Sequence, residues 1–405
     1  MVGTTYKRSP SGSPGEVFLA FLKLGLTSFG GPIAHLGYFR AEFVERRRWV
    51  SDEHFGQLLA ICQFLPGPAS SQLGFSLGLL RAGWFGALAA FVAFTLPSAL
   101  LLVAFAAALP LLSGTIGAAA VNGLKLVALA VVADAVLGMS RKLCPDRSRR
   151  TIAVLSAAVL LIASSALAQL AVVVAAAVIG AYLLREVDAS GNGEGLQISY
   201  GPRIGGVMLV VFLGLLLGLP LIATGKPDFV SVADAFYRAG ALVFGGGHVV
   251  LPLLQESVVS TAWVSPEQFL AGYGASQAIP GPMFAFSAYL GAVMSPAENT
   301  YLISATALVS IFLPGFLLIA GVLPFWGAVS HNPTAGRVIA GVNAAVVGLL
   351  GAALYNPIFI SGVNSPADLA IALVAFGLLA VWRVSPLIVV LWCVVASVSP
   401  LWFFP

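Results

Sequence analysis

Apolar runs of membrane-crossing length follow one another through this chain and leave its backbone few options. The runs 84–110, 151–166 and 204–224 carry no charged residue. Inside hydrocarbon there is no water to pair backbone N–H and C=O groups, so a crossing segment must be a helix or part of a closed barrel. Runs of this length suit helices, because a core about 30 Å thick takes about 20 helical residues. Composition agrees: 59% of the 405 residues are hydrophobic and 9% are charged. A soluble domain is about a quarter charged. An ordinary cytosolic enzyme, a disordered protein and a secreted disulfide scaffold are thereby excluded. The expected class is an all-α polytopic membrane protein.

The net charge of +4 does not point to nucleic acid, because the basic residues sit in short loops between apolar runs. Cys62, Cys144 and Cys393 are far apart and lack metal-ligand spacing, as do the histidines. No catalytic, metal or cofactor site is expected. Residues 1–15 are polar and rich in Ser, Pro and Gly, and we read them as a disordered N-terminal tail.

The chain contains one unit twice. Phe21–Pro32 reads FLKLGLTSFGGP and Phe236–Gly247 reads FYRAGALVFGGG. Phe29-Gly30-Gly31 matches Phe244-Gly245-Gly246, Gly25 matches Gly240, and Lys23 falls opposite Arg238. Gln63-Phe64-Leu65-Pro66-Gly67-Pro68 matches Gln277-Ala278-Ile279-Pro280-Gly281-Pro282. Leu96-Pro97 matches Leu313-Pro314, and Val121-Asn122 matches Val342-Asn343. The expected organisation is a first repeat over 16–184, a polar loop plus an extra transmembrane helix over 185–230, and a second repeat over 231–405.

With its paired FGGP and FGGGH elements and its two PGP elements, the chain resembles the chromate ion transporters of the long, two-domain form, over nearly its whole length. The resemblance implies a bacterial or archaeal plasma (inner) membrane protein that exports chromate and confers resistance to it.

The matched blocks are too short to be simple spans. Glu16–Phe29 gives about 14 residues, roughly 21 Å of helix, before Gly30-Gly31-Pro32 interrupts it. Pro66-Gly67-Pro68 interrupts the next stretch in the same way. Each block is either a kinked span or a re-entrant hairpin. Hairpins place Lys7, Arg8, Arg40, Arg46, Arg47, Arg48 and Arg81 together in the cytoplasm. Spans at 84–110, 115–140, 151–166, 168–184 and 204–224 then bring the second repeat in inverted. Its spans are 299–325, 334–359, 366–382 and 386–402. This arrangement leaves Lys226 as the outside basic residue, with the N-terminus cytoplasmic and the C-terminus outside. Inverted repeats with broken helices are a recurrent transporter design.

Each break starts a helix inside the protein, with Pro32, Pro68 and Pro282 standing where a first helical residue would. Free first-turn N–H groups and the positive end of the helix dipole then form an anion site without a fixed charge. The candidate substrate-binding residues are therefore Phe29, Gly30, Gly31, Pro32, Pro66, Gly67, Pro68, Phe244, Gly245, Gly246, Gly247, Pro280, Gly281 and Pro282. His35 and His248, just beyond the glycines, and Gln63 and Gln277, ahead of the prolines, join them. So do Asn122 and Asn343, polar residues in apolar spans. For each, packing is the competing reading.

Lys23 and Arg238 could attract the anion or snorkel to the interface. Asp134 is a coupling candidate. Gly74-Phe75-Ser76-Leu77-Gly78 fits a nucleophile pattern but lies in an apolar helix, where it reads as a packing face. The expected partners are chromate, with sulfate as the alternative oxyanion, and membrane lipid; a homodimer is one option for assembly. An anion channel and an intramembrane enzyme or sensor are the readings from other classes. Cysteines introduced into the 40–50 and 225–231 loops should label from opposite membrane faces. Labelling of both from one face would contradict the inversion.

Overall fold

The computed structural model describes residues 12–112, 114–163, 165–184, 200–244, 247–294, 299–326 and 333–399. Most of the tail, the 185–199 loop, Gly245, Gly246 and the last residues of the chain lie outside these. The described residues are helical, with no strand among them.

The first repeat opens with α1 (Pro14–Thr27), α2 (Gly31–Arg40), α3 (Asp52–Phe64) and α4 (Ala69–Ala108). It continues with α5 (Thr115–Leu143), α6 (Arg147–Ile162) and α7 (Ala166–Leu183). The extra helix is α8 (Pro202–Ile222). The second repeat opens with α9 (Phe229–Ala241), α10 (Val250–Val258), α11 (Pro266–Ser276) and α12 (Phe286–Met294). It ends with α13 (Thr300–Val322), α14 (Pro333–Ala353), α15 (Pro366–Ala380) and α16 (Pro386–Val398). Helix α1 begins at Pro14, capped by the Ser13 side chain, so the end of the expected tail is already helical.

The short blocks are hairpins. Phe21 on α1 stacks on Phe43 with centroids 4.7 Å apart and meets Phe39 of α2 edge-on at 5.5 Å. Glu16, at the start of α1, accepts from Trp49 Nε1 at 3.2 Å, beyond the end of α2. Both ends of the first block therefore lie together. Arg81 reaches the same Glu16 at 3.1 Å. Helix α4 breaks immediately after Arg81, where Ala82 and Gly83 leave helical geometry. The second block thus also returns to where it started. In the second repeat the Tyr289 hydroxyl of α12 donates to the Gln268 carbonyl of α11 at 2.8 Å, which folds that pair antiparallel.

The two repeats are interlocked. Helix α5 packs against α15 and α16 of the second repeat, and the matching α14 packs against α6 and α7 of the first. Close approach relies on absent side chains. A Cβ on Gly25 would lie 2.8 Å from the Ala93 and Phe94 carbonyl oxygens of α4. The matched Gly240 meets the Ile311 carbonyl of α13. Among the described residues, five helical segments are long and apolar enough to cross a membrane: Ala69–Leu112, Thr115–Leu143, Pro202–Ile222, Thr300–Phe325 and Thr334–Gly362.

The nucleophile-like stretch is packing. Ser76 Oγ donates to the Gln72 carbonyl at 2.8 Å, and Gly78 lets α4 pack on itself at Gly86 across its kink. Gly240→Leu should cost about 1–3 kcal/mol by overpacking the α9–α13 contact. The readout is the thermal unfolding midpoint in detergent, and an unchanged midpoint would contradict the packing described.

Candidate functional site

Four interruptions of helical geometry carry the matched glycines, and backbone hydrogen bonds join them crosswise. Gly67 N–H donates to the Val243 carbonyl at 2.7 Å, so the first PGP turn meets the chain just after α9, ahead of the FGGG element of the second repeat. Gly281 N–H donates to the Ser28 carbonyl at 2.9 Å, so the second PGP turn meets the FGGP turn of the first. Ser28 and Val243 are matched positions, as are Gly67 and Gly281. The two bonds are therefore one contact made twice.

Gly67 (φ 122°) and Gly281 (φ 96°) hold left-handed backbone, as do Gly30 (φ 102°) and Gly31 (φ 76°). Such conformations favour glycine. Each PGP turn also rests on the proline-containing helix of the other repeat. A Cβ on Gly67 would lie 3.1 Å from Gly315 Cα on α13, and one on Gly281 would lie 2.7 Å from Ser98 Oγ on α4.

The helices that start here differ from several others in the fold. The N-termini of α1, α3, α6, α7, α9, α11 and α15 are capped by Ser13, Ser51, Asp146, Ser165, Asp228, Ser265 and Ser365. Helix α2 starts after Gly30, α4 after Pro68, and the turn Met283–Ala285 after Pro282, all without a side-chain cap. Pro68 and Pro282 are the capping residues themselves, one place earlier than the sequence suggests, and Pro32 lies in the first turn of α2. First-turn N–H groups without caps are anion-binding donors. A Cβ on Gly31 would meet nothing within 4 Å, so there is open space beside the first of these turns.

Buried polar atoms gather at the same turns. Ser28 Oγ, His35 Nδ1, Ser71 Oγ, Gln72 Oε1 and Thr95 Oγ1 have no hydrogen-bond partner among the described residues. Ser28, His35 and Gln72 are wholly buried, and Thr95 and Ser71 nearly so. Gln72 Nε2 straps the turn by donating to the Pro66 carbonyl at 2.9 Å and the Gly315 carbonyl at 3.1 Å. Each such group left unpaired in an apolar interior costs about 1–3 kcal/mol.

All five belong to the first repeat. The matched positions in the second hold Val243, Val250, Ala285, Phe286 and Phe312. The backbone arrangement is two-fold, while these five polar side chains have apolar counterparts in the second repeat.

The remaining sequence candidates divide. Phe29 and Phe244 flank the turns and are half-buried, and Pro66, Pro280 and Gly247 lie within them. Gln277 donates to Ser276 Oγ at 3.2 Å beside the second PGP turn. Gln63 is exposed and makes no hydrogen bond among the described residues. His248 is paired with the Tyr273 hydroxyl at 2.6 Å. Asn122 lies elsewhere, donating to Asp368 Oδ1 at 2.8 Å and so tying α5 to α15. Asn343 Oδ1 is buried without a partner on α14.

Lys23 reaches Glu42 at 4.0 Å with its side chain largely exposed, and Arg238 pairs with Asp234 on its own helix. Asp134 makes no ion pair among the described residues, and neither does the buried Lys125. Gly245 and Gly246 lie outside the described residues. The sequence reading missed Ser28, Ser71, Gln72 and Thr95; comparing the two repeats position by position for polar-against-apolar pairs would have found them.

A charged cluster closes one end of the first repeat. Glu42 is buried and takes Arg47 at 2.7 Å and Arg46 at 2.8 Å. Burial opposes its ionisation, but the hydrogen bonds from Arg47 and Arg46 outweigh that and hold its carboxyl below the usual range. Two apolar cavities, of about 270 and 590 Å³, lie between α4, α8 and α13 and between α6 and α7. No residue of the breaks lines either.

A two-repeat helical membrane protein with uncapped helix starts at a shared central contact is the architecture of a transporter. A profile of the chromate transporter family matches residues 15–181 and 230–398, and the chain belongs to that family. It is 30% identical over 385 residues to a probable chromate transport protein of Synechococcus elongatus, covering 92% of each chain. It is 29% identical to a chromate transport protein of Pseudomonas aeruginosa (86% of this chain, 82% of the relative). It is 26% identical to a chromate transport protein of Cupriavidus metallidurans (89% and 85%). No solved structure matches.

Gly281→Ala forces an alanine into left-handed backbone and against Ser98. It should lower chromate transport at least tenfold while the protein still inserts. Gly37→Ala, on the regular part of α2 with open space at its Cβ, should leave transport within twofold. Equal activity of the two variants in a vesicle uptake assay would contradict the role of the turns.

Proposed function

We propose that this protein exports chromate from the cytoplasm by alternating access, the anion being held by the uncapped helix starts at the FGGP/FGGG and PGP turns. The observation that carries the reading is the contrast in capping. Helices α1, α3, α9 and α11, which form the outer arms of the four hairpins, start under a Ser or Asp cap. Those that start at the crosswise contact leave their donors open. A tetrahedral oxyanion offers several acceptor oxygens to such donors, and glycine lets the backbone approach it.

The contact between the turns also suits alternating access. It joins the two repeats by two backbone hydrogen bonds, and in this reading each hairpin rocks on the other repeat's proline helix. The charged cluster of Glu16, Glu42, Arg46, Arg47 and Arg81 forms the cytoplasmic rim in this orientation, as the excess of arginine there requires. The membrane is the plasma (inner) membrane, with the N-terminus cytoplasmic.

Direction follows from charge. One elementary charge crossing 100 mV is worth about 2.3 kcal/mol. A dianion leaving a cell that is negative inside gains about 4.6 kcal/mol per 100 mV, whereas uptake needs two cations to break even. Sulfate has the same shape and charge, but the family relationship favours chromate. In proteoliposomes with an imposed potential, chromate efflux from the negative compartment should rise steeply with voltage. Flux that does not respond to voltage would contradict charge-carrying export.

A further inference from the structure

His35 is an acceptor placed where an anion site needs donors. Its Nε2 lies 3.2 Å from the Ser28 carbonyl oxygen. A carbonyl oxygen only accepts, so Nε2 carries the proton. In the neutral ring Nδ1 is then a bare lone pair, and it is buried with no partner among the described residues. Ser28 precedes His35 by seven residues, so the ring must lie back over the first turn of α2, toward the break. Phe94 closes one side of it edge-on, with centroids 5.3 Å apart. The same Ser28 carbonyl receives Gly281 N–H at 2.9 Å, which places the imidazole at the crosswise contact itself. Ser28 Oγ, on the residue whose carbonyl His35 meets, and Thr95 Oγ1, on the chain neighbour of Phe94, are both buried and unpartnered among the described residues.

Among the described residues, no group supplies the proton that Nδ1 lacks. The charged groups on the elements packed against His35 are Glu16 and Lys23 of α1, Arg81 of α4, Arg40 of its own helix, and Glu42, Glu45 and Arg46 of its continuation. These belong to the charged cluster at the rim and pair there with one another or with Asp52 and Arg47. The turn at Pro280-Gly281-Pro282 contributes no titratable side chain, and α12 contributes only Tyr289, which is bonded to Gln268.

A fully ionised oxyanion presents lone pairs alone, and one of them would face the lone pair of Nδ1. One proton between the two removes the conflict. Given the break-site reading above, we propose that the site takes up its oxyanion together with one proton, held between His35 Nδ1 and an oxyanion oxygen, while the hydroxyls of Ser28 and Thr95 donate to the other oxygens. The proton enters from the same side as the anion and leaves with it. The carried charge is then one rather than two, and nothing is oxidised or reduced.

This arrangement separates chromate from sulfate. Chromate takes its first proton close to neutral pH, whereas sulfate does so only in strong acid. At neutral pH a protonated tetrahedral anion is therefore available from one and not from the other. The backbone donors alone cannot make this distinction, because both ions satisfy them equally. The second repeat has Val250 at the position matching His35 and holds its own His248 against Tyr273. The device is thus confined to one side of the site.

The test is calorimetric titration of the purified full-length protein with sodium chromate, in two buffers of different ionisation heat, between pH 7 and pH 9. Wild type should take up close to one proton per chromate bound at the alkaline end, and its affinity should fall about tenfold per pH unit there, as one linked proton requires. Sulfate should compete at least tenfold more weakly at pH 7. His35→Gln should abolish the proton uptake, flatten the pH dependence and bring chromate and sulfate closer together. Wild type that binds chromate without taking up a proton overturns the inference, as does His35→Gln with unchanged uptake, and both leave the break site standing. Equal competition by sulfate at pH 7 overturns the selectivity. Folded wild type that binds no chromate at all overturns the break-site reading instead. Because the proton count is read on wild type, the inference stays falsifiable if the variant does not fold.

Discussion

A backbone N–H buried in a membrane protein must find a partner, and the architecture of this protein is organised around the few that are displaced from helices at its centre. Helices are interrupted at matched places in the two repeats. Part of the resulting deficit is met by the repeats themselves, through Gly67 to Val243 and Gly281 to Ser28. The rest follows from that exchange. Gly67 and Gly281 adopt left-handed backbone to present those N–H groups. Their missing side chains let each turn lie on the proline-bearing helix of the other repeat. The donors left over, at the starts of α2 and α4, are those the proposed site gives to the anion.

The symmetry of the backbone does not extend to the lining. Ser28, His35, Ser71, Gln72 and Thr95 stand opposite Val243, Val250, Ala285, Phe286 and Phe312. The ion pairs of the rim show the same bias, gathering Glu16, Glu42, Arg46, Arg47 and Arg81 on the first repeat. The repeats thus keep a shared skeleton and diverge in side chains: Phe286, opposite Gln72, stacks on Tyr289 and meets Phe269 and Tyr273 edge-on.

Much of this was legible in the sequence. The repeat and the breaks were visible, because Gly-Gly-Pro and Pro-Gly-Pro interrupt apolar helices, and the hairpin was one of two readings they left, beside a kinked span. The blocks were too short to cross, and the structure folds them back accordingly. The hydroxyl residues of the site were not legible. Serine and threonine in apolar helices usually bond to their own helix, as Ser76 does to Gln72 and Ser98 to Thr95. Nothing in local sequence separates those from Ser28, Ser71 and Thr95. The partner of Asn122 was not legible for a related reason: Asp368 lies far along the chain on α15. Lys23 and Arg238 do match between the repeats, but each has a carboxylate close by and not the breaks.

The proposed oxyanion site lies at the crosswise contact of the matched turns. Anomalous scattering from chromium in crystals of the chromate-bound protein locates the ion directly. A chromium peak is expected within hydrogen-bonding reach of the first turns of α2 and α4, beside Ser28 and His35. A peak confined to the arginines of the rim, with none at the turns, would contradict it.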